Sequence, residues 1–316
     1  MNVPITQSKA WQKLQDDLGE ISFFEKTEDY QYLAIFKKTP AGNYLYCPYG
    51  PVLKDQKSLK KALKSLQNLT KEKSATFIRI EPTMALKPEF LRSTAKSIGL
   101  TTKKSKDLNP KDTWILDLTG SDDDLKQKLP QRLFRYYKSA SKKGITIETS
   151  KNPDDIHYLL SLQRALAKEK GINTFSENYL KTELSQPFST LYLAKFTNPD
   201  TKHQEIVAAG LVFDDTSTRY NLQGAQSDQG RPLHATGILT IQLILDAKAK
   251  GIKTFDFWGI APDDASKDHP WYGFTEFKKS FAGSPIHHTG TYDLILNPFK
   301  YRIYQLIRAI NLKIRK

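Results

Sequence analysis

Residues 189–262 decide the fold. They read STLYLAKF (189–196), EIVAAGLVFD (205–214) and TRYNLQGAQ (218–226), then GILTIQLILDAKAKG (237–251) and IKTFDFWGIAP (252–262). The first three are rich in β-branched and aromatic residues and are separated by NPD and DDTS, so they predict strands joined by turns. The fourth is an apolar run too long for a strand and predicts a helix, and the fifth predicts a strand ended by Pro262. The same plan occurs earlier. YQYLAIFKK (30–38) and NYLYCPYGPVL (43–53) predict strands, LKKALKSLQNLTKEKS (59–74) an amphipathic helix, and ATFIRIEP (75–82) a strand ended by Pro82. Each unit of strands, helix and strand carries its own apolar helix face, so the chain predicts two small α/β domains sharing an interface, mixed α+β in class.

Between the two units lies TGSDDDLKQKLPQRLFRYYKSASKKG (119–144). It opens with acidic residues suited to a helix amino terminus, is broken or kinked at Pro130 and is capped by Gly144. GITIETS (144–150) then opens the second half, followed by helices over 153–170 and around 177–184. The last segment starts at Pro298, a good first helical residue, and puts Phe299, Ile303, Ile307, Ile310 and Ile314 on one face. Its basic residues Lys300, Arg302, Arg308, Lys313, Arg315 and Lys316 suit lipid headgroups, but packing onto the first domain is the preferred reading. The expected division is 1–143 with 298–316 as one domain and 144–297 as the other.

The 48 basic and 34 acidic residues leave +14, which favours a polyanion: tRNA, a nucleotide diphosphate or the face of an anionic membrane. Charge does not choose among them. The amino terminus has no targeting pattern and no window reaches the ~18 apolar residues of a membrane helix, so a cytoplasmic protein is expected. Cys47 is the only cysteine, which excludes an internal disulfide or a thiolate metal cluster and reads as a small buried hydrophobe. His269, His287 and His288 lack ligand spacing, and there is no GxSxG, P-loop or dinucleotide fingerprint, so neither a metal nor a bound cofactor is expected.

Chemistry is expected in residues 254–293, where a strand runs through Asp256, Trp258 and Gly259 into a loop rich in aromatics, glycine and lysine. Phe277 and Phe281 are four apart and suggest one buried face, which leaves one of Lys278 and Lys279 toward the site. An ammonium near aromatic walls loses bulk solvation and attracts a phosphate or developing oxyanion more strongly than in water. Asp256 suits a role in orienting a substrate amine or as a base, and Asp293 could instead fix a turn. Arg231 stands at the mouth of the helix 237–251, where amide groups and a guanidinium would together grip a diphosphate. Arg132, Arg135, Lys138, Lys142 and Lys143, interleaved with Phe134, Tyr136 and Tyr137, form a basic helix spaced for successive phosphates of RNA.

The segments DFWGI, FKKSFAG and TGTYDL closely resemble the Fem aminoacyltransferases, which move an amino acid from aminoacyl-tRNA onto a peptidoglycan precursor peptide. The resemblance extends in order across nearly the whole chain, through ITQSKAWQKLQDDLG, YLYCPYGPVL, DTWILDLTGSDDDLKQKL and RYYKSASKKGITIE. It implies two tandem GNAT-like domains with the final helix returning to the first, and the short helices before Leu184 imply the type without a long coiled-coil arm. By resemblance, Lys278 would stabilise negative charge during transfer and Arg231 would hold a phosphate of the precursor, with Asp256, Tyr272 and Phe277 shaping the pocket. The implied partners are aminoacyl-tRNA, a soluble or lipid-linked precursor and the inner membrane face. Two alternatives share the fold: a coenzyme A dependent N-acyltransferase, disfavoured because His234 stands where the first glycine of the phosphate loop should be, and a noncatalytic RNA or membrane binder.

Overall fold

The computed structural model describes residues 3–170 and 174–314, without the side chains of 169, 170 and 312–314. The roles read for Lys313, Ile314, Arg315 and Lys316 fall outside the described side chains. The chain divides into two compact units, 1–111 with 287–316 and 112–286.

The first unit runs α1 (Lys9–Asp17), β1 (Ile21–Lys26), β2 (Tyr30–Lys37), β3 (Tyr44–Cys47), β4 (Val52–Leu53), α2 (Leu59–Glu72), β5 (Phe77–Ile80), α3 (Pro88–Lys96) and β6 (Thr101–Lys104). The second holds β7 (Asp112–Asp117), α4 (Asp122–Lys128), α5 (Gln131–Ser139), β8 (Ile145–Ser150), α6 (Ile156–Lys170), α7 (Glu177–Leu184), β9 (Ser189–Thr197), β10 (Gln204–Asp214), β11 (Thr218–Gln226), α8 (Ala235–Ala249), β12 (Thr254–Gly259) and α9 (Tyr272–Lys279), and β13 (Ser284–His287) completes its sheet. The chain then returns to the first unit through β14 (Tyr292–Ile295) and α10 (Pro298–Ile314).

Each unit has a seven-stranded mixed sheet. In the first, the order is β1-β2-β3-β5-β14-β6 with β4 beside β2, and α2 crosses between the parallel strands β3 and β5. In the second, the order is β13-β7-β12-β11-β10-β9-β8, and α8 crosses between the parallel strands β11 and β12. The expected mixed α/β tandem is therefore present. α2 buries Leu59, Ala62, Leu63 and Leu66, the one-sided stripe of a helix covering a sheet, whereas α8 is apolar all round because α5 packs on it as well as the sheet. Cys47 is fully buried in the first core, as its reading expected. Pro130 does break the basic segment into α4 and α5, and Gly144 ends it with a left-handed φ of 77°. A Cβ at Gly144 would stand 2.3 Å from the Thr197 carbonyl oxygen, so the residue is fixed by space as well as by φ.

Three expectations need correction. The division does not fall at 143/144 and 297/298. β7 pairs with β12, which takes residues 112–143 into the second unit, and β14 pairs with β5 and β6, which returns 292–297 to the first. The final helix does pack on the first unit, but through Tyr301 and Tyr304, which join Phe77 and Ile295, while Phe299, Ile303 and Ile310 are exposed. Asp293 fixes no turn: it sits in β14, fully buried, and accepts two hydrogen bonds from Arg79 at 2.7 and 2.8 Å and a third from the Tyr301 hydroxyl at 2.8 Å.

Candidate functional site

β11 and β12 run side by side for only three residues, 218–220 against 254–256. Beyond Tyr220 and Asp256 the two strands part, and the site residues gather where they do. At this point β12 carries a bulge against β7 between Asp256 and Gly259. Trp258 within it has a φ of 65°, a left-handed value that costs a bulky residue on the order of 1–3 kcal/mol. The bulge is held by the Asp256 carboxylate, which accepts the Trp258 amide at 2.7 Å. Bulges of this kind re-aim side chains beside active sites.

α9 is fastened to the end of β12 one turn at a time. Thr275 Oγ1 accepts the Ala261 amide at 2.9 Å, and Lys278 Nζ donates to the Gly259 carbonyl at 2.5 Å. The Lys278 ammonium also lies 5.0 Å from the centre of the Phe274 ring, a cation–π contact. Gly283, which ends the FKKSFAG motif, passes so close to β7 that a Cβ there would meet the Ile115 carbonyl oxygen at 2.3 Å. The Trp114 indole N–H donates to Phe281 O at the same place, 3.1 Å away.

Burial sets the electrostatics. Desolvation pushes the Asp256 carboxyl up to about 7, against the opposing pull of the Trp258 amide and the Lys278 charge. Desolvation brings the Lys278 ammonium down to about 8, with Asp256 opposing the fall. The two groups thus titrate close together near neutrality, as strongly perturbed groups in candidate sites do. Lys279, by contrast, is an outer lysine 3.8 Å from Asp263.

The aromatic wall differs in part from the expectation. Phe277, partly buried, packs inward against Phe281 of the core, with ring centres 5.3 Å apart. The ring beside Lys278 is Phe274, 40% exposed, with Trp271 next to it at 5.7 Å. The 274/278 spacing of four was a usable signal for this pairing. Tyr272 opens α9, partly exposed, and its amide donates to His269 O.

Arg231 follows β11, so it lies beyond the same end of the parallel pair as the α9 site. It lines a cleft of about 820 Å³ with Gln226, Ser227 and Asp228 on one side and Ser161, Leu162, Ala165, Leu166 and Lys168 of α6 on the other. Lys278 is not among these lining residues. The guanidinium is half exposed and 3.4 Å from Asp228. Two amide groups at the start of α8, expected to be open to an anion, are already engaged: Ala235 N donates to Gly230 O and Thr236 N to the Gln226 side chain at 3.4 Å. His234 takes the left-handed conformation (φ 55°) that glycine would adopt more cheaply, and its ring stacks on Tyr136 at 4.2 Å.

That stack joins the Arg231 loop to the basic segment. Arg132, Arg135, Lys138, Lys142 and Lys143 are all exposed along α5 and the turn after it. Arg132 and Lys143 lie over the Tyr136 ring and Lys138 over Phe134, while Tyr137 anchors the helix through Gln242 at 2.7 Å. The result is an exposed strip of cations backed by rings, a surface whose charge suits a phosphate backbone. Among the described residues no cluster of histidine, cysteine or carboxylates could hold a metal ion.

Comparison with known proteins agrees with this architecture. Over 89% of this chain and 84% of theirs, the lipid II:glycine glycyltransferases of Staphylococcus aureus are 24% identical to it. A crystal structure of FemX superposes with a TM-score of 0.79, at 19% identity, over 96% of this chain and 94% of that one. The C-terminal domain of a putative lysylphosphatidylglycerol synthetase from Agrobacterium fabrum reaches 0.59, at 16% identity, over 98% and 93%. The FemAB family model matches residues 4–190 and 190–309, and the chain belongs to the FemAB family.

Proposed function

We propose that this protein is an aminoacyltransferase that moves an amino acid from aminoacyl-tRNA to the side-chain amine of the third residue of a peptidoglycan stem peptide. Family membership and likeness to lipid II:glycine glycyltransferases over most of both chains support the transfer and the acceptor class. The single observation that carries the chemistry is Lys278, a partly buried lysine tied to the end of a parting strand beside an exposed aromatic wall. The acceptor amine attacks the ester carbonyl, a C–N bond forms, the C–O bond to the tRNA ribose breaks, and the proton released by the amine leaves with the ribose hydroxyl. Lys278 stabilises the negative oxygen of the tetrahedral intermediate, and Asp256 opposes the loss of its proton. The ester is already activated, so alignment and charge stabilisation supply the acceleration without a covalent enzyme intermediate or a cofactor.

Arg231 holds a phosphate of the precursor, and the strip from Arg132 to Lys143 receives the tRNA. The protein works in the cytoplasm, peripheral to the membrane where a lipid-linked acceptor would stand. Coenzyme A is disfavoured as donor, because two of the α8 amides that would receive its diphosphate are engaged. The test is to incubate the purified protein with a mixed pool of charged tRNAs and with both UDP-linked and lipid-linked precursors. Mass spectrometry then reads the mass of the added amino acid; an unchanged precursor mass with every charged tRNA would overturn the proposal, and salt-sensitive RNA binding alongside it would favour the noncatalytic reading.

A further inference from the structure

α10 has two apolar faces, and only one is covered. Tyr301 and Tyr304 turn inward, 4% and 5% exposed, onto Phe77 and Ile295. On the opposite face Phe299, Ile303, Leu306 and Ile310 follow one another at i, i+4, i+7 and i+11, the repeat of a continuous helical stripe about 16 Å long. They are 72, 40, 63 and 48% exposed, so a helix whose fold anchor is aromatic keeps an aliphatic stripe in water.

The charge around the stripe has one sign. Residues 298–316 contain no Asp or Glu. Lys300 and Arg302 are exposed and flank the stripe on its two sides. The edge strand β6 adds exposed Lys103 on the α10 side of the sheet, its ammonium 5.8 Å from the Tyr301 ring, which puts that edge alongside α10. An apolar stripe bordered by cations finds both its complements in one partner, a bilayer with anionic headgroups over hydrocarbon. RNA would satisfy the cations and leave the stripe in water.

We propose that α10 is an interfacial membrane helix. It lays Phe299, Ile303, Leu306 and Ile310 into the boundary between headgroups and acyl chains of an anionic bilayer, with Lys300, Arg302 and Lys103 of β6 on the lipid phosphates. As the device that brings the site to a lipid-linked acceptor it rests on the proposed function, although the binding itself needs only the helix.

The test is co-sedimentation of the full chain with vesicles of phosphatidylcholine alone and of phosphatidylcholine mixed with phosphatidylglycerol. The wild type should sediment with the anionic vesicles. Leu306→Ser with Ile310→Ser, and separately Lys300→Glu with Arg302→Glu, should each weaken this by ~10-fold or more while melting at the wild-type temperature, because all four side chains are exposed. Wild-type protein that stays in the supernatant, or either double variant that sediments as the wild type does, overturns the proposal. So does a lipid-independent dimer that the serine variant abolishes, which would assign the stripe to a second copy. Transfer to UDP-linked and to lipid-linked precursors is read separately, and absence of transfer means absence with both. Vesicle binding without transfer supports this inference and sinks the acceptor reading; transfer without vesicle binding does the reverse.

Discussion

Lys278 donates a hydrogen bond from its ammonium to the carbonyl of Gly259, three residues beyond Asp256, and the charges of Lys278 and Asp256 act on one another. Neither group is comfortable alone: burial works against both ions, and each is the other's main electrostatic support among side chains. Lys278→Ala should therefore lower kcat by about 10²–10³, the size of effect seen when one oxyanion donor is removed, with the fold retained. Steady-state transfer with a melting curve checks this. Wild-type turnover in the variant would remove Lys278 from the chemistry.

The pair also sets the pH profile. In the proposed mechanism transfer needs the charged ammonium, which is lost as pH rises through about 8, so the alkaline limb of kcat should fall there. Asp256→Asn keeps an acceptor for the Trp258 amide but removes the charge that supports Lys278, and should shift that limb to lower pH. For stability the sign is separate. The Asp256 pKa is raised on folding, so its contribution is present at low pH and lost as pH rises toward 7, and the Asn variant should be no less stable than wild type at pH 8. A limb that stays in place in the variant would show that the two charges do not act on each other.

The basic strip makes a prediction in salt. Arg135→Ala and Lys142→Ala remove exposed cations that hold nothing else in place, so each should weaken tRNA binding without changing which tRNA is preferred. Each should also reduce the slope of log affinity against log salt by ~0.7–0.9 per lost phosphate contact. Filter binding across a salt series is sufficient, and an unaltered slope would place the tRNA elsewhere.

Much of this arrangement was legible in the residues because it is local. Alternation, turn residues, Pro130 and Gly144 act within a few positions, and most strands and helices read from them are present, although residues 43–53, read as one strand, form two, β3 and β4, and α3 and β6 were not read. What was not legible depends on partners far away in the chain. The division between units is decided by β7 joining β12 and by β14 joining β5, and Asp293 meets an arginine 214 residues earlier. Periodicity found an apolar stripe on α10 but not the covered one, because the tyrosines that anchor it do so partly through a hydroxyl on the Asp293 carboxylate. Phe277 and Phe274 were ambiguous for a similar reason: both suit one side of a short helix, and only the seating of α9 on β12 decides which ring meets the lysine.

The Arg79–Asp293 pair yields a stability prediction in the first unit. Both side chains are buried, at 3% and 0% exposure, and the bidentate bond is joined by Tyr301 of α10. Asp293→Ala leaves a buried guanidinium without its counterion and should cost ~3–5 kcal/mol. It should also loosen α10, because Tyr301 loses its acceptor. Chemical denaturation and hydrogen exchange at α10 would measure the two effects, and a loss below ~1 kcal/mol would mean that water reaches the arginine.

A second buried carboxyl predicts a different pH dependence. Glu183 of α7 is 2% exposed and accepts Gln223 Nε2 at 2.9 Å, while Gln163 in turn donates to Gln223, so three elements meet on one polar chain. Burial pushes its carboxyl up to about 8, with a Tyr179 hydrogen bond acting the other way. A carboxyl raised on folding stabilises fully below its unfolded pKa near 4.5 and loses that contribution as pH rises toward 8, because the folded chain holds the proton longer. Wild-type stability should then decline from pH 5 to pH 8 by up to a few kcal/mol. Glu183→Gln cannot ionise and fills the same space, so it should flatten that decline and make the protein more stable than wild type at pH 8. Melting temperatures of both proteins across this range decide the matter, and parallel curves would mean that Glu183 is ionised within the fold at neutral pH.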